Sequence, residues 1–224
     1  MTSLTIRQIK QQIQQLTNEK RASSLPSFWL TDWLLYVIDR PALFLITDES
    51  YELTDSERTR FEAGVIKMQQ GVPLAYLTGQ QAFWSLNFLV NEHTLIPRPD
   101  TEVLIEQVLN WISTQPAQVS NKRLLDLGTG SGCIAISLAH ELKKDNWQVV
   151  AVDLSSEALS VAQHNAELNG VDNVKFVQSS WYDELSTQDT SLFDIIVSNP
   201  PYIDEADEHL ARLVAEPISA LSAP

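Results

Sequence analysis

Two clusters in this sequence combine residue types at spacings that suit chemistry. Three of the chain's 7 glycines stand within Gly128-Thr129-Gly130-Ser131-Gly132. Glycine permits positive φ and lets a ligand approach the main chain, while a helix that follows at once presents unpaired N–H groups and its positive dipole end. A tight strand-to-helix turn with no ligand would use the same residues. The second cluster is Asn199-Pro200-Pro201-Tyr202. Two prolines cannot extend a hydrogen-bonded ladder, and the residue before each is pushed toward extended geometry. The chain must therefore leave its strand as a stiff ribbon whose carbonyls lack a strand partner, which makes a pocket lip. Between the clusters, Asp153 lies 21 residues beyond Gly132, where a doubly wound fold places a carboxylate to accept both ribose hydroxyls of a nucleoside. An isolated Asp at a strand end could equally cap the next helix. Cys133 occupies the slot after Gly132, so the spacing departs from the dinucleotide pattern Gly-x-Gly-x-x-Gly and weighs slightly against a nicotinamide cofactor.

These clusters need a scaffold that brings strand ends together. Apolar runs at Arg123–Leu127, Gln148–Leu154, Val174–Val177 and Phe193–Ser198 read as strands, and Cys133–Leu142 and Ser155–Asn169 as helices between them. Buried strands alternating with helices predict an α/β domain with a parallel sheet and right-handed crossovers. The glycine loop, Asp153 and the Asn-Pro-Pro-Tyr ribbon then share the carboxyl edge of that sheet. Residues 97–224 form this domain, opened by a stiff entry, Pro97 to Glu102, with Asp100 or Thr101 capping a helix from Val103 to Ile112; a polar loop follows from Gln115 to Asn121. Residues 81–96, with Phe83-Trp84 and Phe88-Leu89-Val90 around a polar Asn87, predict a β-hairpin linker. Residues 1–80 predict a small helical bundle. Ile6, Ile9, Ile13 and Leu16 form a helical stripe, Phe28 to Ile38 is apolar nearly all round, and Thr54 with Glu57 is a capping box before Phe61, Val65 and Met68. Trp29 and Trp33 read as core, and the acidic run Asp204 to Glu208 as the solvated start of a helix.

Composition narrows the function classes. With 15 Lys+Arg against 29 Asp+Glu, net charge −14, and no basic run longer than a pair, the chain predicts no direct nucleic-acid partner. The single cysteine forms no intrachain disulfide, and the four histidines show no metal-ligand spacing with it, so no metal is expected. Neither a signal core nor a long apolar run is present, which predicts a soluble cytoplasmic protein with no membrane partner. We read it as a monomer.

Asn-Pro-Pro-Tyr after the fourth strand, with Asp-Leu-Gly-Thr-Gly-Ser-Gly (Asp126 to Gly132) upstream, resembles the class I S-adenosylmethionine-dependent methyltransferases that alkylate amide or exocyclic amino nitrogens. Ile-Pro-Arg-Pro-Asp-Thr-Glu (Ile96 to Glu102) and Pro73-Leu74-Ala75-Tyr76-Leu77-Thr78-Gly79 narrow the resemblance to the peptide chain release factor N5-glutamine methyltransferases, the PrmC/HemK family. The resemblance implies a Rossmann-like sheet and transfer of a methyl group from S-adenosyl-L-methionine to the glutamine of the Gly-Gly-Gln motif in release factors, with the helical region recognising that protein. It implies that Gly128, Thr129, Gly130, Ser131 and Gly132 cradle the methionine part of the cofactor. Asp153 would hold the ribose, Trp181 would lie against the adenine, and Asp126 would sit near the ammonium, although an Asp at a strand end could equally be structural. Asn199, Pro200, Pro201 and Tyr202 would hold the glutamine, with Asn199 and Pro200 accepting its amide N–H groups and Tyr202 stacking on the amide plane. Members of the family continue beyond the Glu216-Pro217 pair and complete the sheet with three further strands, so this chain is expected to be C-terminally truncated. The competing readings are a ribosomal-protein glutamine methyltransferase, an adenine-directed DNA methyltransferase, which the charge opposes, and a noncatalytic remnant that binds cofactor or release factor.

Overall fold

The computed structural model describes residues 4–18, 25–115, 122–185, 192–204, 206–208, 210, 213 and 215–222. Most of the polar loop expected at 115–121 lies outside them, as do Glu205 and the Leu16 side chain. The chain divides into two compact units, Met1–Thr78 and Gly79–Pro224.

The first unit is helical. Helix α1 spans Ile6–Asn18 and buries Ile6, Ile9 and Ile13. Its start is satisfied reciprocally, the Gln8 side chain accepting from the Thr5 amide at 2.8 Å and the Thr5 hydroxyl from the Gln8 amide at 3.3 Å. Helix α2 (Ser27–Ile38) ends at Asp39 in the left-handed region, and a one-turn α3 (Phe44–Thr47) follows. Helix α4 (Asp55–Gln69) carries both bonds of the Thr54/Glu57 capping box. A short α5 (Leu74–Thr78) closes the unit. Trp33 is core, as its spacing predicts. Its indole lies where a Cβ on Gly64 would stand, 2.2 Å away, and its Nε1 donates to the Phe61 carbonyl at 3.1 Å. A glycine in mid-helix, costly by propensity, is thus the condition for α2 and α4 to meet.

The second unit opens with strands β1 (Gln80–Phe83) and β2 (Leu86–Leu89), paired antiparallel. The hairpin packs into this unit's core through Phe83 and Phe88. Trp84 in its turn has φ +56°, and two carboxylates hold it there: Glu102 accepts from its amide at 2.7 Å and Glu141 from its indole at 2.8 Å. Helix α6 (Glu102–Thr114) is entered through a 3-10 turn at Pro99–Thr101, and neither Asp100 nor Thr101 caps it. Proline at the first position of that turn presets the entry, and the motif's Glu102 serves the hairpin.

Strands β3 (Arg123–Leu127), β4 (Gln148–Asp153), β5 (Val174–Gln178) and β6 (Ile195–Ser198) form a parallel sheet in the order β5-β4-β3-β6. Helices α7 (Cys133–Glu141) and α8 (Ser156–Leu168) follow β3 and β4. The period of two sorts the strands by face. Leu124, Val149 and Ala151 pack with α6, α7, α8 and the hairpin, whereas Leu125, Leu127, Val150 and Val152 pack with Val177, Leu185 and Phe193. The order reverses beside β3, so the crevice at its carboxyl end is a topological switch point, where open α/β sheets bind ligands. Past β6 the Asp204 carboxylate accepts from the Ala206 amide at 2.8 Å. No α-helix forms there among the described residues. Local side-chain acceptance competes with helix initiation, which the charge pattern alone does not reveal.

Candidate functional site

The carboxyl ends of all four parallel strands open onto a cavity of about 360 Å³. That volume is in the range of small-molecule sites. Gly128, Thr129, Gly130 and Ser131 line it from the end of β3, Asp153 from β4, Trp181 from the turn after β5, and Asn199, Pro200 and Pro201 from the end of β6. Residues separated by more than 70 positions in sequence therefore face one space.

The glycine loop is held by its neighbours. The amides of Gly128 and Thr129 both donate to the Val152 carbonyl at 2.9 Å, and the Gly132 amide donates to Thr129 at 2.8 Å. Gly130 has φ +55°, and a Cβ there would meet no protein atom within 4 Å. Gly132, by contrast, is a packing glycine beneath the loop. Asp153 does not cap the next helix; its carboxylate is held by two main-chain amides. One carboxylate oxygen accepts from the Gly130 amide at 2.8 Å and the other from the Ser155 amide at 2.9 Å, just before α8. The helix cap itself is Ser155, whose hydroxyl accepts from the Ala158 amide at 3.0 Å. Two main-chain donors fix the Asp153 carboxylate, and each oxygen retains acceptor capacity toward the cavity.

Asp126 is fully buried at the end of β3. One oxygen accepts from the Thr129 hydroxyl at 2.7 Å, and the other has no hydrogen-bond partner among the described residues. Burial pushes its pKa from 3.8 up to about 6, against the pull of the Thr129 hydroxyl. An acid whose folded pKa is raised binds more protons folded than unfolded between the two values, so stability falls as pH rises through that window. The unfolding free energy of the wild type minus that of Asp126→Asn should fall by on the order of 3 kcal/mol from pH 4 to pH 7. Urea unfolding at the two pH values tests this, and a flat difference would refute it. Cys133, at the first turn of α7, also borders the cavity; burial pushes its thiol up to about 12, so it is no nucleophile near neutrality.

Trp181 is 61% exposed, has φ +52°, and lines the cavity. Ser179 organises its turn, its hydroxyl accepting from the Glu184 amide and donating to the Trp181 carbonyl, each at 3.1 Å. Tyr202 is set apart from the other ribbon residues. It is 81% exposed and outside the cavity lining, so the expected stack over a bound amide is not preformed. Sequence reasoning also passed over Asn165, His93, Arg98 and Pro217. The last three line the cavity. Asn165 is fully buried and spans two elements: its Oδ1 accepts from the Leu89 amide at 2.6 Å, and its Nδ2 donates to the carbonyls of Leu89 at 3.0 Å and Ser131 at 2.9 Å. A polar residue on the buried face of α8 was the available signal. Among the described residues no cluster of His, Cys, Asp or Glu could hold a metal ion, and no helix is long and apolar enough to cross a membrane.

The methyltransferase domain family matches residues 118–221, and the PrmC N-terminal domain family matches residues 9–79. The release factor glutamine methyltransferase of Shewanella oneidensis is 45% identical over 192 residues, 85% of this chain and 64% of that protein. That of Aliivibrio fischeri is 41% identical over 217 residues, 96% of this chain and 72% of the relative. That of Escherichia coli is 39% identical over 213 residues, 94% and 73% of the two chains. The chain thus spans between 64% and 73% of the length of these curated relatives. The likeness runs through the helical unit as well as the sheet that carries the glycine loop and the Asn-Pro-Pro-Tyr ribbon, and on that breadth the chain belongs to the release factor glutamine methyltransferase family.

Proposed function

We propose that this chain binds S-adenosylmethionine in the cavity at the carboxyl edge of its sheet and methylates the side-chain amide nitrogen of a glutamine, that of the Gly-Gly-Gln motif of a peptide chain release factor. The observation that carries the reading is the convergence of Gly130, Asp153 and Asn199-Pro200-Pro201 on one cavity. The residues present fit the cofactor. Gly130 leaves space in which a Cβ meets no protein atom, and Asp153 offers fixed acceptors for hydroxyls. Gly128 to Ser131 would hold the methionine portion, with Gly132 packed beneath them, Asp153 the ribose, and Trp181 the adenine face. The cofactor supplies a methyl group activated by the positive charge on sulfur.

The protein's remaining task is to position a poor nucleophile. An amide nitrogen delocalises its lone pair into the carbonyl, so orientation carries the rate. The Asn199 side-chain oxygen and the Pro200 carbonyl each accept one N–H of the acceptor amide, which fixes the nitrogen and makes it more electron-rich. No Asp, Glu or His need act as base, because the amide proton becomes acidic only as the nitrogen is alkylated. Tyr202, exposed beside the ribbon, would be covered only when the acceptor protein docks. The helical unit would contribute to recognising that protein.

The test is transfer of labelled methyl from S-adenosylmethionine to unmethylated release factor, beside a variant factor whose Gly-Gly-Gln glutamine is replaced, a ribosomal-protein control and a DNA control. Label in the native factor alone is the expected result. Label in ribosomal protein or in DNA would replace the acceptor, and cofactor binding with no label anywhere would leave a noncatalytic binder.

A further inference from the structure

A carboxylate withdrawn from water is costly unless its charge is met by a partner. Glu216 is such a group, 7% exposed, and it belongs neither to the glycine loop nor to the Asn-Pro-Pro-Tyr ribbon. Its Oε2 accepts from the Ile96 amide at 3.2 Å, and its Oε1 accepts from the Arg98 guanidinium. Beyond it the chain makes a 3-10 turn at Ile218–Ala220, and the Leu221 carbonyl accepts from the Ile203 amide at 3.0 Å. The segment 216–222 is therefore fastened at one end to the segment 96–98 and at the other just past the ribbon. Arg98, Pro217, Ser219 and Ala220 line the same cavity as Asn199 to Pro201.

None of this wall is regular sheet, so no ladder fixes its spacing. The elements assigned to the cofactor have their own ties: Gly130 to Asp153, and the Trp181 turn to Ser179. We propose that Glu216 is a positioning residue which, acting through Arg98 and the Ile96 amide, sets the wall of the cavity that meets the acceptor glutamine. This rests on the proposed function for the identity of the acceptor. Glu216 controls the fit of the acceptor and leaves that of the cofactor alone.

Glu216→Gln tests the claim with little steric change, because it keeps an oxygen for the Ile96 amide and removes the charge facing Arg98. Arg98→Ala and the double variant complete a cycle, all in the whole chain. Steady-state kinetics give kcat/KM for release factor, calorimetry gives the Kd of S-adenosylhomocysteine and of release factor, and amide exchange reports on Ile96. Glu216→Gln should lower kcat/KM for the acceptor roughly tenfold, with the S-adenosylhomocysteine Kd within about twofold of wild type. Ile96 should stay protected, and the double variant should be no worse than Arg98→Ala alone. Equal losses for acceptor and cofactor, additive losses in the double variant, or unchanged acceptor constants would overturn the proposal. If the label enters a different protein, the release-factor reading fails and the same cycle on that acceptor still decides Glu216. A chain that binds release factor without methylating it is judged on the acceptor Kd, and one that holds S-adenosylhomocysteine but neither binds nor methylates any acceptor refutes both readings.

Discussion

Asn199→Ala should abolish nearly all methyl transfer, by roughly 100-fold or more, while cofactor affinity changes little. The reasoning is chemical. Asn199 stands at the carboxyl end of β6, where the two following prolines deny the chain any further strand pairing, and it lines the cavity with them. Under the proposed function its oxygen and the Pro200 carbonyl hold the two amide hydrogens of the acceptor. Losing one acceptor leaves the nitrogen free to rotate and to keep its conjugation, and nothing else on the ribbon replaces a side-chain oxygen. Asn199→Asp keeps an oxygen but adds charge beside a cation-carrying cofactor, so it should retain more activity than alanine does. Methyl-transfer rates beside calorimetry with S-adenosylhomocysteine distinguish the outcomes. Near-normal turnover in Asn199→Ala would remove the residue from the site.

Gly132→Ala carries the other large effect, and it acts on stability. Gly132 has φ +81°, and a Cβ there would lie 2.6 Å from Ile136 Cδ1 and 3.1 Å from Ala162 Cβ. Left-handed strain and overpacking together should cost about 2–4 kcal/mol, a large part of the 5–15 kcal/mol typical of a domain. Gly130→Ala makes a sharp contrast, since its Cβ would meet no protein atom. It bears only the backbone strain, about 1–2 kcal/mol, yet intrudes on the ligand's space. Thermal unfolding with and without S-adenosylhomocysteine separates the two. Gly132→Ala should melt lower whether or not ligand is present, and Gly130→Ala should lose most of the ligand-induced rise. Equal melting curves for the two variants would contradict this division of labour within one short loop.

Much of the second unit was legible because its signals are local and repeated. The apolar run Arg123–Leu127 is a strand at both expected ends, and the helix expected at Ser155–Asn169 is observed at Ser156–Leu168. The Thr54/Glu57 pair is legible for the same reason, since both partners sit within one turn. The glycine loop, Asp153 and the ribbon come together because parallel strands place their carboxyl ends on a single edge. What escaped were contacts whose partners are far apart in sequence. Glu102 stands at the start of α6, yet it is spent on the Trp84 amide, and Glu216 lies 118 residues or more from its partners Arg98 and Ile96. At the acidic run, Asp204 accepts from the Ala206 amide, a local bond that the charge pattern does not announce. Tyr202 belongs to the motif, but its exposure depends on the direction in which the second proline sends the chain.

Asn165 joins the Leu89 backbone to the Ser131 carbonyl, so the β1–β2 hairpin and the glycine loop share one anchor on α8. An exchange of residues 80–89 between homologues is consequently not a local edit. Such a graft replaces the partner that keeps Asn165 aligned, and the error is transmitted to the glycine loop nearly forty residues along the chain. The transplantable module is hairpin, loop and α8 together, and a hybrid assembled from smaller pieces would inherit a misaligned glycine loop even where every motif residue is intact.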